Sequence, residues 1–431
     1  MRTVLLAAVA AAMLVAVPVG ADAAPLGRQV VPLGRQVLPP NDGWAAEGAG
    51  TTGGSAAPVD SVYTVDTRTE LAAALAAPSP KIVYVRGRID GNTDDAGNPL
   101  GCADYVADGY SLDAYLAAYD PAVWGRETRP SGPLESARAA SAANQAKRIR
   151  LKVGSGTTVV GLGGAVLSGL NLQVDKADNV IIRDLTLVDA ADCFPQWDPT
   201  DGSTGNWNSA YDNISVTGST HVWVDHNTFT DGANPDSAQP RYFDRPYQVH
   251  DGELDITNAS NFATVSWNRF TDHDKTMLIG STNNPANDRG KLNVTVHHNL
   301  FRGTLQRMPR VRFGQVHVYD NLYEVPASMS YVLGVGVESA IVAESNVFAL
   351  DGADPGEVLF DWGGTAVTAR DNLLRTGHRT EPVDLVAAYN ATHDPDFGTD
   401  AGWTPTLHTG ITPARQVPRL VSRHAGARRT R

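Results

Sequence analysis

The chain has 431 residues, 42% hydrophobic and 19% charged, which is enough apolar sequence for a large buried core, and its formal net charge is −12. That acidity argues against a nucleic-acid binder, whose electrostatic footprint is basic. It also sets a condition on any polyanionic ligand, which would need a local source of positive charge.

In chain order, residues 1–23 (MRTVLLAAVAAAMLVAVPVGADA) combine Arg2, an apolar run to Val19 and an Ala21-Asp22-Ala23 cleavage pattern. They read as a secretory signal peptide, because the run falls short of the roughly 20 residues that span a bilayer. A secreted, extracellular protein is expected. Residues 24–40 carry a tandem PLGRQV duplication and are expected to form an arm, 41–421 a single domain, and 422–431 a basic, solvated tail. Cys102 and Cys193 fit an oxidising compartment in which one disulfide persists. Two unpaired buried thiols remain the alternative, since bonding needs Cα atoms within about 7 Å.

A short helix is expected within 66–77 (TRTELAAAL), followed by the strand KIVYVRG. Residues 91–146 are a polar, irregular excursion with one alanine-rich helix at ESARAASAANQA. A pattern then recurs: VIIRDLTL, VWVDHNTF, ATVSWNRF, VTVHHNLF, VHVYDNLY, IVAESNVF and VTARDNLL. Each is a short alternating strand, a bend and an apolar residue. Six place asparagine at one offset, at Asn227, Asn268, Asn299, Asn321, Asn346 and Asn372, with spacings of 41, 31, 22, 25 and 26 residues. A period with a minimum near 22 residues, lengthened by insertions, is that of a solenoid rung. Rungs stacked about 4.8 Å apart superpose equivalent asparagines and let their amides bond along the stack. These residues are therefore structural, and Val222, Val224, Val294, Val296, Val316 and Val318 face the core. The fold class is all-β, a parallel β-helix whose inserted loops form a groove suited to a long polymer.

The chemistry-bearing residues lie on consecutive rungs. Asp251 and Asp255 in YQVHDGELDITNAS share one face of an extended strand, and Asp212 in AYDNISV precedes a strand one rung earlier. Three carboxylates from neighbouring rungs suit a hard cation such as Ca²⁺, although turn aspartates are the alternative. TDHDKTMLIGS contributes Lys275, and QRMPRVRFG contributes Arg307, Arg310 and Arg312. Pro309 makes an unbroken strand unfavourable there, and a bend would let Arg307 and Arg312 converge into an anion site.

DNISVTGSTHVWVDHNTFTDG, HDGELD, TDHDK and QRMPRVRFGQVHVYDN, in this order and spacing, resemble the calcium-dependent pectate lyases of polysaccharide lyase family 1. FPQWDPTDGSTGNWNSAYDN and GWTPTLH extend the resemblance from about Asn41 to about Val421. It implies a right-handed β-helix and a monomeric enzyme that cleaves polygalacturonate by calcium-dependent β-elimination. It also implies calcium ligands at Asp212, Asp251 and Asp255, substrate binding by Lys275 and Arg312, and Arg307 as the base that takes the C5 proton. The Asp225-His226 pair belongs to the same pattern and is taken as structural. Arginine is an unusual base, and nearby like charges from Ca²⁺, Arg312 and Lys275 are expected to favour its neutral form, helped by high pH. A hydrolase built on paired carboxylates is the competing reading, weakly suggested by Asn92-Thr93-Asp94-Asp95, but no Gly-His-Gly follows.

Overall fold

The computed structural model describes residues 32–377 and 379–428, so the signal segment and the first PLGRQV copy lie outside the described residues. From Thr157 onward the chain winds through three parallel ladders. The first contains Ile214–Thr217, Leu254–Thr257, Leu278–Ile279, Arg310–Val311, Leu333–Gly336 and Leu359–Trp362. The second runs from Asp178–Arg183 to Val367–Arg370, and the third from Thr186–Val188 to Leu373–Thr376. Each strand pairs with its equivalent one turn away, which makes the architecture a parallel β-helix, right-handed as parallel crossovers between twisted strands are.

In the second ladder one inward column reads Val180, Val222, Ala263, Val294, Val316, Ile341 and Val367 in unbroken register. All of these side chains are buried, and so are Val224, Val296 and Val318 in the neighbouring inward column, which accounts for the six valines singled out by periodicity. The expected asparagine stack is present. Nδ2 of Asn227, Asn268, Asn299, Asn321 and Asn346 each donates to Oδ1 of the next asparagine at 3.0–3.2 Å. Each of these oxygens also accepts the backbone N–H of the asparagine before it. The residue preceding each asparagine is left-handed, with φ between 51° and 56° at His226, Trp267, His298, Asp320, Ser345 and Asp371. That conformation turns the chain from the second ladder into the third, and the side-chain amide satisfies backbone groups freed by the turn. Two residues beyond each of the first five asparagines, Phe229, Phe270, Phe301, Tyr323 and Phe348 stack with centroids 4.7–4.9 Å apart, at the spacing of the rungs.

The first expected helix is present at Arg68–Ala76, capped by Thr67, and its Leu71, Ala74 and Leu75 join the main core. The alanine-rich helix is longer than expected, spanning Pro133–Ile149, and a second helix at Leu112–Tyr119 was not anticipated within the excursion. Cys102 and Cys193 are bonded, tying this excursion to the coil across 91 residues.

Both ends differ from expectation. The second PLGRQV copy does not trail free: Leu33 packs against Ala57, Ile82 and Val160, Arg35 donates to the Ser55 and Ala57 carbonyls at 2.6 and 2.8 Å, and Gln36 accepts from Arg183 at 2.9 Å; just beyond it, Leu38 and Ala45 pack against Ile181 and Trp223. At the other end, residues 422–428 are not a solvated tail. Helix Val417–His424 lays Val417 and Val421 over an outward column of Leu300, Leu322, Val347 and Leu373. Arg428 then donates two hydrogen bonds, at 2.7 and 2.8 Å, to the buried Asp184 carboxylate. An uncovered apolar stripe would be costly, and the buried Asp184 carboxylate, which has Arg183 at 3.4 Å, gains its two guanidinium hydrogen bonds from the terminus.

Asn299 exchanges amide hydrogen bonds with asparagines on both neighbouring rungs. Asn299→Ala is expected to lower unfolding stability by about 2–4 kcal/mol, because it strands buried backbone partners. Chemical denaturation followed by far-UV circular dichroism measures this.

Candidate active site

The first ladder gathers the expected residues where the chain enters it from the third. Gly252, Lys275 and Gln306 pair as one column across three successive rungs. Asp212 accepts from the Gly252 amide at 2.9 Å and from the Ser215 hydroxyl at 2.6 Å. Asp255 accepts from the Leu278 amide at 2.9 Å. A Cβ at Gly252 would lie 2.5 Å from an Asp255 carboxylate oxygen and 2.9 Å from one of Asp212, so both oxygens converge on the space that this glycine leaves open. Asp251, whose side chain is 35% exposed, turns one oxygen to Lys275 Nζ at 3.1 Å. The Lys275 ammonium thus takes up the third carboxylate, and among the described residues no three His, Cys, Asp or Glu side chains are grouped to hold a metal by themselves.

The bend at Pro309 is present. Arg307 is left-handed at φ 59°, and the strand resumes only at Arg310–Val311. Arg307 and Arg312 lie close enough to act on each other's charge. Arg312 donates Nε to Asn283 Oδ1 and Nη1 to the Gly280 carbonyl, both at 2.7 Å, which fixes its guanidinium. By contrast Asp95, part of the hydrolase-like sequence, pairs at the surface with Arg148 at 2.8 Å. Asp225 is buried against the second ladder and accepts from Arg183, His226 and Ser266, as a structural residue should.

Burial, and then the Asp251 charge, raises the Asp212 carboxyl to about 7. Burial together with Asp212 and Asp251 holds Asp255 well above the usual carboxylate range. Burial acts upward on Asp251 as well, but Lys275 and Arg307 outweigh it and hold that carboxyl low. For Arg307, burial favours the neutral guanidine, while Asp251 and Asp255 act more strongly and keep its proton affinity above the ordinary arginine value. The expectation that its neighbours favour neutral Arg307 is therefore not met by the protein's own charges. Arg312 is lowered by burial and by Arg307, so the guanidinium that holds its proton most tightly sits between the carboxylates and the remaining cations.

Behind Asp251 lies a buried cluster that sequence reasoning missed. His273 directs Nδ1 to Asp231 at 2.7 Å and Nε2 to the Asp251 carbonyl at 2.9 Å. His250 directs Nδ1 to Asp236 at 3.1 Å and Nε2 to Asp189 at 3.0 Å. Carbonyl and carboxylate oxygens only accept, so both rings carry two protons. Burial opposes that charge, but Asp189, Asp231 and Asp236 raise His250 to about 9, and Asp231, Glu253 and Asp236 raise His273 to about 10. The histidines were visible in HDGELD and TDHDK, but their partners come from other rungs.

A pectate lyase family profile matches residues 131–391. The pectate lyase of Bacillus subtilis (strain 168) is 46% identical over 397 residues, covering 90% of this chain and 92% of the relative. This chain belongs to the pectate lyase family. Among solved structures, a thermostable pectate lyase superposes with a TM-score of 0.90 at 44% identity, over 92% of this chain and 99% of its own. An arginine-to-lysine variant of the Bacillus subtilis pectate lyase gives 0.88 at 45% identity, covering 93% of this chain and all of its own. The shared pectate lyase fold thus includes the rungs that bring Asp212, Asp251, Asp255, Lys275, Arg307 and Arg312 together.

His250 has a folded proton affinity raised to about 9 from 6.5, so its stabilising contribution is complete below pH 6.5 and lost as pH rises through 9. His250→Gln is expected to lower the melting temperature at pH 6, with the gap to wild type narrowing above about pH 9. Thermal melts across that pH range check the sign.

Proposed function

We propose that this pectate lyase cleaves polygalacturonate by calcium-dependent β-elimination, with Asp212, Asp251 and Asp255 as calcium ligands, Lys275 and Arg312 as substrate-binding residues and Arg307 as the base. The observation that carries the reading is the convergence of the Asp212 and Asp255 oxygens over Gly252, with Lys275 and the arginines on the next rungs. The donor set consists entirely of oxygen, as a hard cation prefers, and the raised proton affinities of Asp212 and Asp255 mark a surplus of buried negative charge that a divalent ion would neutralise. The three carboxylates supply part of a coordination shell of six to eight oxygens, leaving room for the carboxylates of the substrate.

When bound, calcium supplies Lewis-acid neutralisation of the uronate carboxylate. Lys275 and Arg312 orient that carboxylate and stabilise the charge that builds on it as the C5 proton leaves. A neutral nitrogen of the Arg307 guanidine accepts the C5 proton, the C5–H electron pair becomes the 4,5 double bond of the new chain end, and the C4–O bond breaks with the departing oxygen taking a proton from water. The negative charges that hold Arg307 protonated are those of Asp251 and Asp255, two of the proposed ligands, so metal binding at those carboxylates would ease its deprotonation. The Cys102–Cys193 disulfide supports export after cleavage of residues 1–23. The 41–421 span serves as the catalytic unit, working as a monomer.

Four outcomes are expected. Polygalacturonate should yield product absorbing near 235 nm, about where an unsaturated uronide absorbs, and exhaustive chelation should abolish it. Asp251→Ala should lose calcium binding by calorimetry while keeping its β-rich spectrum; full turnover in chelator would exclude the metal role. Arg307→Lys should nearly abolish kcat while polygalacturonate binding persists, since lysine does not reproduce the guanidinium geometry. Wild-type kcat should climb into alkaline pH. A near-normal kcat in Arg307→Lys, or an acidic optimum, would assign the proton to another group.

A further inference from the structure

Two rungs beyond the arginines, the outer face of the first ladder ends in an aromatic group. In its register Leu278, Arg310, Gly334 and Phe360 form one column, and Gly336 pairs with Trp362 in the next. The two glycines leave a trough. A Cβ at Gly334 would meet the Arg310 side chain at 2.9 Å, and one at Gly336 would meet that of Arg312 at 3.0 Å. Arg310 crosses the trough and lays its guanidinium on the Trp362 ring, Cζ to centroid 3.6 Å. Tyr331, Phe360 and Trp362 pack mutually at 5.0–6.2 Å and stiffen that support. Trp362 is 36% exposed, while the other seven tryptophans are buried or half-buried.

Arg310 has no carboxylate partner among the described residues. Its Nε is buried without a hydrogen bond, whereas Arg302, Arg370 and Arg375 on the outer faces of nearby rungs are all neutralised by glutamates. A guanidinium lying 3.6 Å over an aromatic ring, with the Tyr331 hydroxyl as its polar neighbour and like charge from Arg312 and Arg307 beside it, leaves its charge open to an anion. The cavity of about 800 Å³ beside Asp274 offers the opposite surface, since Asp231, Asp236 and Asp272 also line it and would repel a uronate.

We propose that Arg310 and Trp362 form a distal subsite for one galacturonate unit of the polymer, with the Arg310 guanidinium taking its carboxylate and the exposed Trp362 edge taking the apolar face of its ring. The proposal rests on the pectate lyase reading and extends the groove about two rungs, or roughly 10 Å, beyond the proposed base. Trp362 touches no reacting atom, so the subsite acts on binding and only for chains long enough to reach it.

The test compares wild type, Trp362→Ala, Trp362→Phe and Arg310→Gln on trigalacturonate and hexagalacturonate in saturating calcium. Each KM is read from formation of the unsaturated product. For Trp362→Ala and Arg310→Gln, KM for the hexamer should rise about tenfold more than KM for the trimer. Trp362→Phe should recover most of the loss. The double variant should lose less than the product of the two single losses, because the pair acts as one unit. Equal effects on both lengths, no effect on either, or fully multiplicative losses would overturn the subsite. Circular dichroism screens each variant for folding, and Arg310→Gln carries the test if Trp362→Ala does not fold. If wild type releases no unsaturated product, the lyase reading itself fails, an outcome separate from all of these.

Discussion

Everything in this molecule depends on stacking in register, one rung on the next. Parallel pairing repeats the same side chain at the same place, so a residue that is useful once is useful along the whole coil. The asparagine column shows why the repeat is strict. Each turn from the second ladder to the third frees backbone groups, and an asparagine satisfies them only when its neighbour above offers the matching amide. The aromatic stack beside it obeys the same spacing, so polar and apolar columns reinforce a single rise per turn.

The same rule creates the functional face. On the first ladder, register superposes carboxylates, then lysine, then arginines, and so concentrates charges that would repel if they were alike. The result is a polar gradient across consecutive rungs: buried aspartates with surplus negative charge at one side and under-neutralised guanidiniums at the other. An acidic protein can hold a polyanion there because the cations are clustered locally, while the glutamates that neutralise surface arginines lie on other ladders. The buried imidazoliums of His250 and His273 add rigidity behind the Asp251 segment, since each ring nitrogen is committed to an oxygen.

Loops and termini complete what the coil leaves open. The helix at Arg68–Ala76 contributes to the core at the start of the coil, the excursion is pinned by its disulfide, and the C-terminal helix covers an apolar stripe that the rungs present outward. These are local solutions to exposed surface, and none repeats.

The sequence by itself determined the coil. An asparagine at one offset in six of seven repeats and the alternation around Val222, Val294 and Val316 fix the rung and its inward face, because periodicity is a local property of the chain. It also pointed to the candidate site residues, since their motifs are short, and the bend at Pro309 followed from a residue that cannot donate to a ladder. Only the tertiary structure decided how those residues meet: that Lys275 takes up Asp251, that Asp212 and Asp255 converge over Gly252, and that Asp251 and Asp255 hold the proton on Arg307. It likewise decided that the basic terminus docks through Arg428 on Asp184, 244 residues away in sequence, and that Arg310 reaches Trp362 across a glycine rung. Such pairings depend on which rung lies above which, and loop insertions of variable length hide that order from any reading of spacing alone.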